Sequence, residues 1–160
     1  MKKLLEDAIQ AEHDAMRFYK KISDSVKNKI AKKKLDKLSR EEESHERKLI
    51  KMYRKLFEES FTPEDKFNVN PEFNIVEEKD WDKVKSLDIV KIALQSEIKA
   101  IEHYTKMLEK TVDEEDKKYI NELIKVEKYH ADLLKREYDI LKKQDYWDNP
   151  TLENLGDLRL

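Results

Sequence analysis

Two segments of the chain carry one pattern, Glu42-x-x-His45 and Glu127-x-x-His130, at an offset of 85 residues. A Glu and a His three residues apart project from the same face of a helix, one turn from each other. Each pair can therefore offer a carboxylate oxygen and an imidazole nitrogen to a common cation. Two single glutamates, Glu12 and Glu97, repeat at the same offset. Glu12 lies between Ile9 and Met16, three and four residues from each, and Glu97 has the same relation to Leu94 and Ile101. Glu42 follows Leu38 by four and His45 precedes Leu49 by four, with Glu127 and His130 placed likewise between Leu123 and Leu134. Six polar groups thus interrupt otherwise apolar helical stripes and point inward.

Burying a carboxylate without a partner costs several kcal/mol, and four facing one another repel or must protonate. Something positive has to sit among them. No Lys or Arg fills the gaps, because Lys20, Lys21, Lys37, Arg40, Lys48, Lys106, Lys125 and Lys128 fall off the core face by spacing. Two divalent ions would supply four positive charges against four glutamates with neutral histidines. Two ferric ions with one oxo bridge would again total four. The chain has no cysteine, so thiolate zinc sites, Fe–S clusters and thiol nucleophiles are excluded and any redox chemistry must use nitrogen and oxygen ligands.

The 160 residues are 38% hydrophobic and 44% charged, with one glycine and three prolines. This is enough for one domain, and the scarcity of Gly and Pro removes the turns that a sandwich or barrel needs. A net charge of −2 provides no field for capturing phosphate backbones, so no nucleic-acid partner is expected. No uncharged stretch is long enough to span a bilayer, and acid follows Met1–Leu5 before a signal core can form. The expectation is a cytoplasmic protein with no membrane partner.

Apolar periodicity predicts four helices at about 3–26, 30–58, 87–111 and 114–143. Short links within each pair dictate antiparallel neighbours, while about 28 residues from Glu59 to Ser86, containing Pro63 and Pro71, separate the pairs. Four helices of this length span about 40 Å each, and the long link can run that distance. The expected fold is all-α, a ferritin-like four-helix bundle over residues 1–144 with one long crossover at about 59–86. A tail from 145 to 160, rich in leucine, is expected to pack on the bundle or on a partner chain. The 85-residue repeat also aligns Ala8 with Ala93, Gln10 with Gln95, Ala15 with Ala100, Tyr19 with Tyr104 and Tyr53 with Tyr138.

A Glu from each of two helices plus Glu-x-x-His from each of the other two is the ligand pattern of di-iron and di-manganese carboxylate bundles. With these residues the chain resembles the rubrerythrin group of the ferritin-like superfamily, in the short form without a rubredoxin domain, sometimes called erythrin. The resemblance spans about residues 3–143. It implies that Glu42 and Glu127 bridge two irons, that Glu12 and Glu97 are terminal carboxylates and that His45 and His130 each bind one iron. It also implies that Tyr19 and Tyr104 lie behind the ligands and hydrogen-bond a ligand carboxylate. Manganese or a mixed pair would suit the same ligands.

The resemblance implies reduction of peroxide, with electrons drawn from a separate donor protein because the chain holds no cysteine-bound centre. Oxygen is the other candidate oxidant. Two alternatives stand beside it: a ferroxidase, in which iron is the substrate, and a non-enzymatic bundle stabilised by zinc or manganese. The expected assembly is a homodimer. Ala100, mirrored by Ala15, stands where rubrerythrins usually carry an additional glutamate, and these small side chains either leave room for a small molecule or permit close packing. His13, His103, Gln10 and Gln95 are expected to be solvated, and the lysine run from Lys27 to Lys37 reads as a solvated face or a docking patch for an acidic partner.

Overall fold

The computed structural model describes residues 1–77 and 84–148, with side chains through residue 143. Four helices dominate: α1 (Lys2–Ser25), α2 (Lys29–Phe57), α3 (Ser86–Lys110) and α4 (Glu114–Asp148). Their starts are fixed by short polar side chains where the sequence offers them. Asn28 accepts from the backbone N–H groups of Ile30 and Ala31 at 2.9 and 3.0 Å, and Asp113 accepts from that of Asp116 at 2.9 Å. α2 closes on Glu58, in the left-handed region at φ 54°, a position where glycine is usual.

Within the pairs, α1 packs on α2 and α3 on α4. The direction of the pairs follows from two buried hydrogen bonds. Tyr19 of α1 donates to Glu97 of α3 at 2.6 Å, and Tyr104 of α3 donates to Glu12 of α1. Residues that rise along α1 therefore meet residues that fall along α3, so these helices are antiparallel and α2 and α3 run the same way. Such an order requires the crossover to travel the length of the bundle.

It does so beside α1. Glu59 meets Lys2 at 2.6 Å, the backbone of Glu64 meets Gln10 at 2.9 Å, the Val69 N–H donates to Asp14 at 3.2 Å, and Glu77 pairs with Lys21. A 3₁₀ helix at Pro71–Glu77, which periodicity did not reveal, anchors the far end. Its Phe73 stacks on Phe18 at 4.1 Å between centroids and meets Phe67 edge-on at 5.7 Å.

Two apolar clusters fill the interior. One groups Leu5, Ile9, Leu49, Tyr53, Met107, Ile120 and Leu123. The other groups Phe18, Ile22, Leu35, Leu38, Phe73, Val90, Leu134 and Leu141. The residues that break the stripes lie between them.

Several expectations need correction. Phe18 is fully buried although it lies off the predicted stripe, because the crossover covers that side of α1. Leu56, which apolar periodicity places in the α2 stripe seven residues after Leu49, is instead 42% exposed near the end of α2. Gln10 is buried, spanning the backbone of Glu64 with both ends of its amide and bonding Asp14, whereas Gln95 is exposed as expected. His13 is not solvated either: its ring sits between Glu46 at 3.1 Å and Asp65 at 2.7 Å. His103 is half-buried against the Leu4 carbonyl at 2.6 Å. Helix α4 continues to Asp148, past the expected stop, so the segment assigned to the tail begins as helix. The remainder of the tail, 149–160, lies outside the described residues.

Candidate metal centre

All six sequence-predicted residues converge midway along the bundle. Glu12 comes from α1, Glu42 and His45 from α2, Glu97 from α3, and Glu127 and His130 from α4, and every one is buried. Two overlapping groups form: Glu12, Glu42, His45 and Glu127, and Glu42, Glu97, Glu127 and His130. Within each, one donor atom per residue lies within 4.8 Å of all the others. Glu42 and Glu127 belong to both.

The oxygens of the shared glutamates are divided between the two sides. His45 Nδ1 lies 3.1 Å from Glu42 Oε2, 3.0 Å from Glu127 Oε1 and 3.5 Å from Glu12 Oε2. His130 Nδ1 lies 3.3 Å from Glu42 Oε1, 3.4 Å from Glu127 Oε2 and 3.6 Å from Glu97 Oε1. Both imidazoles thus turn the same nitrogen inward. The rings are 6.5 Å apart, near parallel at 28°. Glu42 Oε1, Glu127 Oε1 and His130 Nδ1 are buried without a hydrogen bond among the described residues. Orphaned donors and acceptors of this kind, converging in a dry core, are what a bound cation would satisfy. A set of oxygen and imidazole ligands suits iron or manganese, and the residues present fit two such ions.

Without metal, protons must neutralise the cluster. Burial, then repulsion from Glu42, pushes Glu12 up to about 8. Burial and the charges of Glu42, Glu97 and Glu12 also raise Glu127 well above the usual carboxylate range. Glu42 goes the other way: burial alone would raise it, but the facing His130 and His45 imidazoles hold it below that range. Burial opposes charge on both histidines, yet the surrounding carboxylates override it and raise both well above the usual imidazole range. Buried Tyr19 and Tyr104, each facing carboxylates, are likewise held protonated. Each tyrosine braces the single glutamate of the opposite hairpin.

One participant escaped sequence reading. Glu41, adjacent to Glu42, turns outward from the cluster and meets His130 Nε2 at 2.8 Å. It sits on a surface-facing position among many charged residues, and only the packing of α2 on α4 reveals it. Asp14, buried under the crossover, and Glu137, buried farther along α4, were missed for the same reason.

A cavity of about 110 Å³ opens between α1 and α3 onto the carboxylate side of the cluster. Glu12, Glu42, Glu97 and Glu127 form its floor, Ala11, Ala15 and Ala100 its apolar walls, and Val69 and Asn70 of the crossover lie against it. Neither His45 nor His130 is among its lining residues.

The rubrerythrin family profile matches residues 3–138. The chain belongs to the rubrerythrin family. Among solved structures, it is similar to a hypothetical protein from Pyrococcus furiosus, at 26% identity over 89% of this chain and 90% of that one, with a TM-score of 0.71. It is also similar in fold to a Thermotoga maritima protein described as a candidate ferritin-like diiron-carboxylate protein, at 22% identity over 86% of this chain and 93% of that one, with a TM-score of 0.72. No curated protein matches it. The all-α, ferritin-like bundle is thereby shared with solved relatives, and the rubrerythrin match fills most of the 160 residues. The buried carboxylate and histidine groups fit the di-iron centre that this family implies. No described helix is long and apolar enough to cross a membrane.

Proposed function

We propose that this rubrerythrin-family chain is a non-haem di-iron oxidoreductase that reduces peroxide, using electrons from a separate donor protein. The observation that carries this reading is the cavity between α1 and α3, which gives a small molecule access to all four glutamates at once. Hydrogen peroxide with two protons and two electrons yields two waters, and a bound iron pair would supply the two electrons.

The chain's own residues prepare the site for this. Glu42 and Glu127 would be shared between two ions, while Glu12 with His45 and Glu97 with His130 would complete one side each. Tyr19 and Tyr104 fix Glu97 and Glu12 across the gap between the hairpins, so the carboxylates at the cavity floor hold their positions when a ligand enters. Tyr104 lines the cavity, and its hydroxyl, held protonated by burial, gives its hydrogen to Glu12 at that wall. Alanines at positions 15 and 100 keep the wall short. A chain without cysteine holds no thiolate-bound redox centre, hence the external donor.

Anaerobic loading of the apo protein with ferrous iron, followed by peroxide and oxygen in separate experiments, tests the reading. Two irons per chain oxidised faster by peroxide are expected. Faster oxidation by oxygen with continued iron uptake would instead make the chain a ferroxidase. Failure to bind two metals would refute the proposal. Size-exclusion chromatography should find a homodimer of a soluble, cytoplasmic protein, whereas a large cage would also favour iron storage.

A further inference from the structure

We infer that the two metal positions are unequal and fill in order, the His130 position first, because Glu41 braces the His130 ring from behind while no group among the described residues does so for His45. The inference rests on the dinuclear reading and adds to it a sequence of loading.

Both imidazoles present Nδ1 to the cluster. To ligate through Nδ1, a neutral ring must carry its hydrogen on Nε2. A carboxylate accepting from that nitrogen fixes the tautomer, holds the ring plane and increases the basicity of the ligating nitrogen. Glu41 does this for His130 at 2.8 Å. His45 Nε2 has no hydrogen-bond partner among the described residues.

The internal repeat explains the difference. An offset of 85 residues carries Glu41 to Val126, the residue before Glu127, and valine offers no acceptor. The carboxylate contacts at the centre are duplicated: the bridging glutamates serve both sides, and the two tyrosines brace the two single glutamates reciprocally. Glu41 breaks that symmetry with a hydrogen bond to one ligand histidine. It also places a fifth carboxylate beside the His130 position, which further favours a cation there. Glu41 acts through His130 and is a positioning residue.

Cobalt(II) serves as the probe, because it does not turn over and shifts the resonances of bound imidazoles. Apo protein is titrated under argon with cobalt(II), following calorimetry and the proton spectrum in water. Wild type should bind two ions in two resolved steps, differing by about 10- to 100-fold in affinity. The first equivalent should bring up one slowly exchanging ring N–H signal, protected by Glu41. The second should add a ring N–H that exchanges rapidly with water. Glu41→Leu should weaken the first step by that factor, merge the two steps and abolish the slow signal. Glu41→Gln, whose amide oxygen can still accept, should restore slow exchange and part of the separation. Equal affinities in wild type, or two signals rising together from the first addition, would overturn the inference while leaving the dinuclear site intact. Equal weakening of both steps by Glu41→Leu, with the slow signal retained, would reduce Glu41 to a packing role and overturn it as well. Binding of no cobalt, or of one ion only, would refute the dinuclear reading itself.

Discussion

Loading the apo protein with metal should release protons, and their number follows from the charges in the core. Four glutamates contribute four negative charges. At neutral pH both histidines are held protonated by those carboxylates, and burial keeps a proton on Glu12 and on Glu127. The metal-free cluster is therefore close to neutral, with four protons in place of two divalent ions. Binding two ions requires four ionised carboxylates and two neutral imidazoles, so about four protons should leave per chain at pH 7. Glu12 titrates near 8, so at pH 9 its proton is already largely gone and the release should fall to about three. Anaerobic addition of two equivalents of zinc to weakly buffered apo protein, with a pH indicator or in buffers of different ionisation enthalpy, measures the number directly. Zinc keeps redox protons out of the count. A release of two or fewer at pH 7 would mean that the empty core lacks protons needed to neutralise it, and the neutral-core reasoning would fail.

Other perturbations test separate parts of the molecule. Glu127→Ala should abolish dinuclear binding, measured as metal per chain, yet leave apo thermal stability unchanged or higher, because a buried, repelled carboxyl has been removed. Glu12 titrates above its unfolded value, so the folded apo protein binds the extra proton between about pH 4.5 and 8. Its contribution to stability is fully present below that window and is lost as pH rises through it, by a few kcal/mol, in urea titrations of apo protein. Metal-loaded protein should show no such loss. Ala100→Leu should fill the cavity and slow the reaction of reduced iron with peroxide about tenfold or more in stopped flow, while two irons remain bound. Phe73→Ala should cost about 3–5 kcal/mol in urea unfolding, because it removes the ring that seats the crossover on Phe18.

The bundle was legible because helices of 24 to 35 residues carry their periodicity over many turns, and a link of 28 residues leaves few topologies open. The site was legible for a related reason. Glu12, Glu42, His45, Glu97, Glu127 and His130 break apolar stripes at repeated positions, and a charged residue on a core face is informative in a way that one on a wet face is not. What escaped detection lay where the crossover or a neighbouring helix converts an outward face into an inward one. Gln10, Asp14, Phe18 and His13 all belong to the side of α1 that the crossover covers. A helical wheel drawn for α1 alone assigns that side to water. The contacts that bury it come from residues 59–77, a stretch without sustained periodicity whose path only the assembled chain defines.

Glu41 was hidden by the same logic and has the larger consequence. Internal repeats make the two halves of the site look interchangeable in sequence, since the matched residues attract notice and the mismatched ones do not. The pairing of Glu41 with Val126 is a mismatch of this kind, one residue from the two glutamates shared by both groups. Duplication explains how a bundle acquires two ligand sets, and divergence just outside them gives the two positions different affinities. Under the proposed function a reduced pair would accept electrons from a donor and meet peroxide in the cavity, and such a pair has no reason to stay symmetric. The cavity reaches the four glutamates between α1 and α3, whereas Glu41 reaches His130 from α2 and is not among the lining residues. Ligand access and ring bracing thus use different residues, so a substitution at Glu41 should change metal order without narrowing the path to the metals.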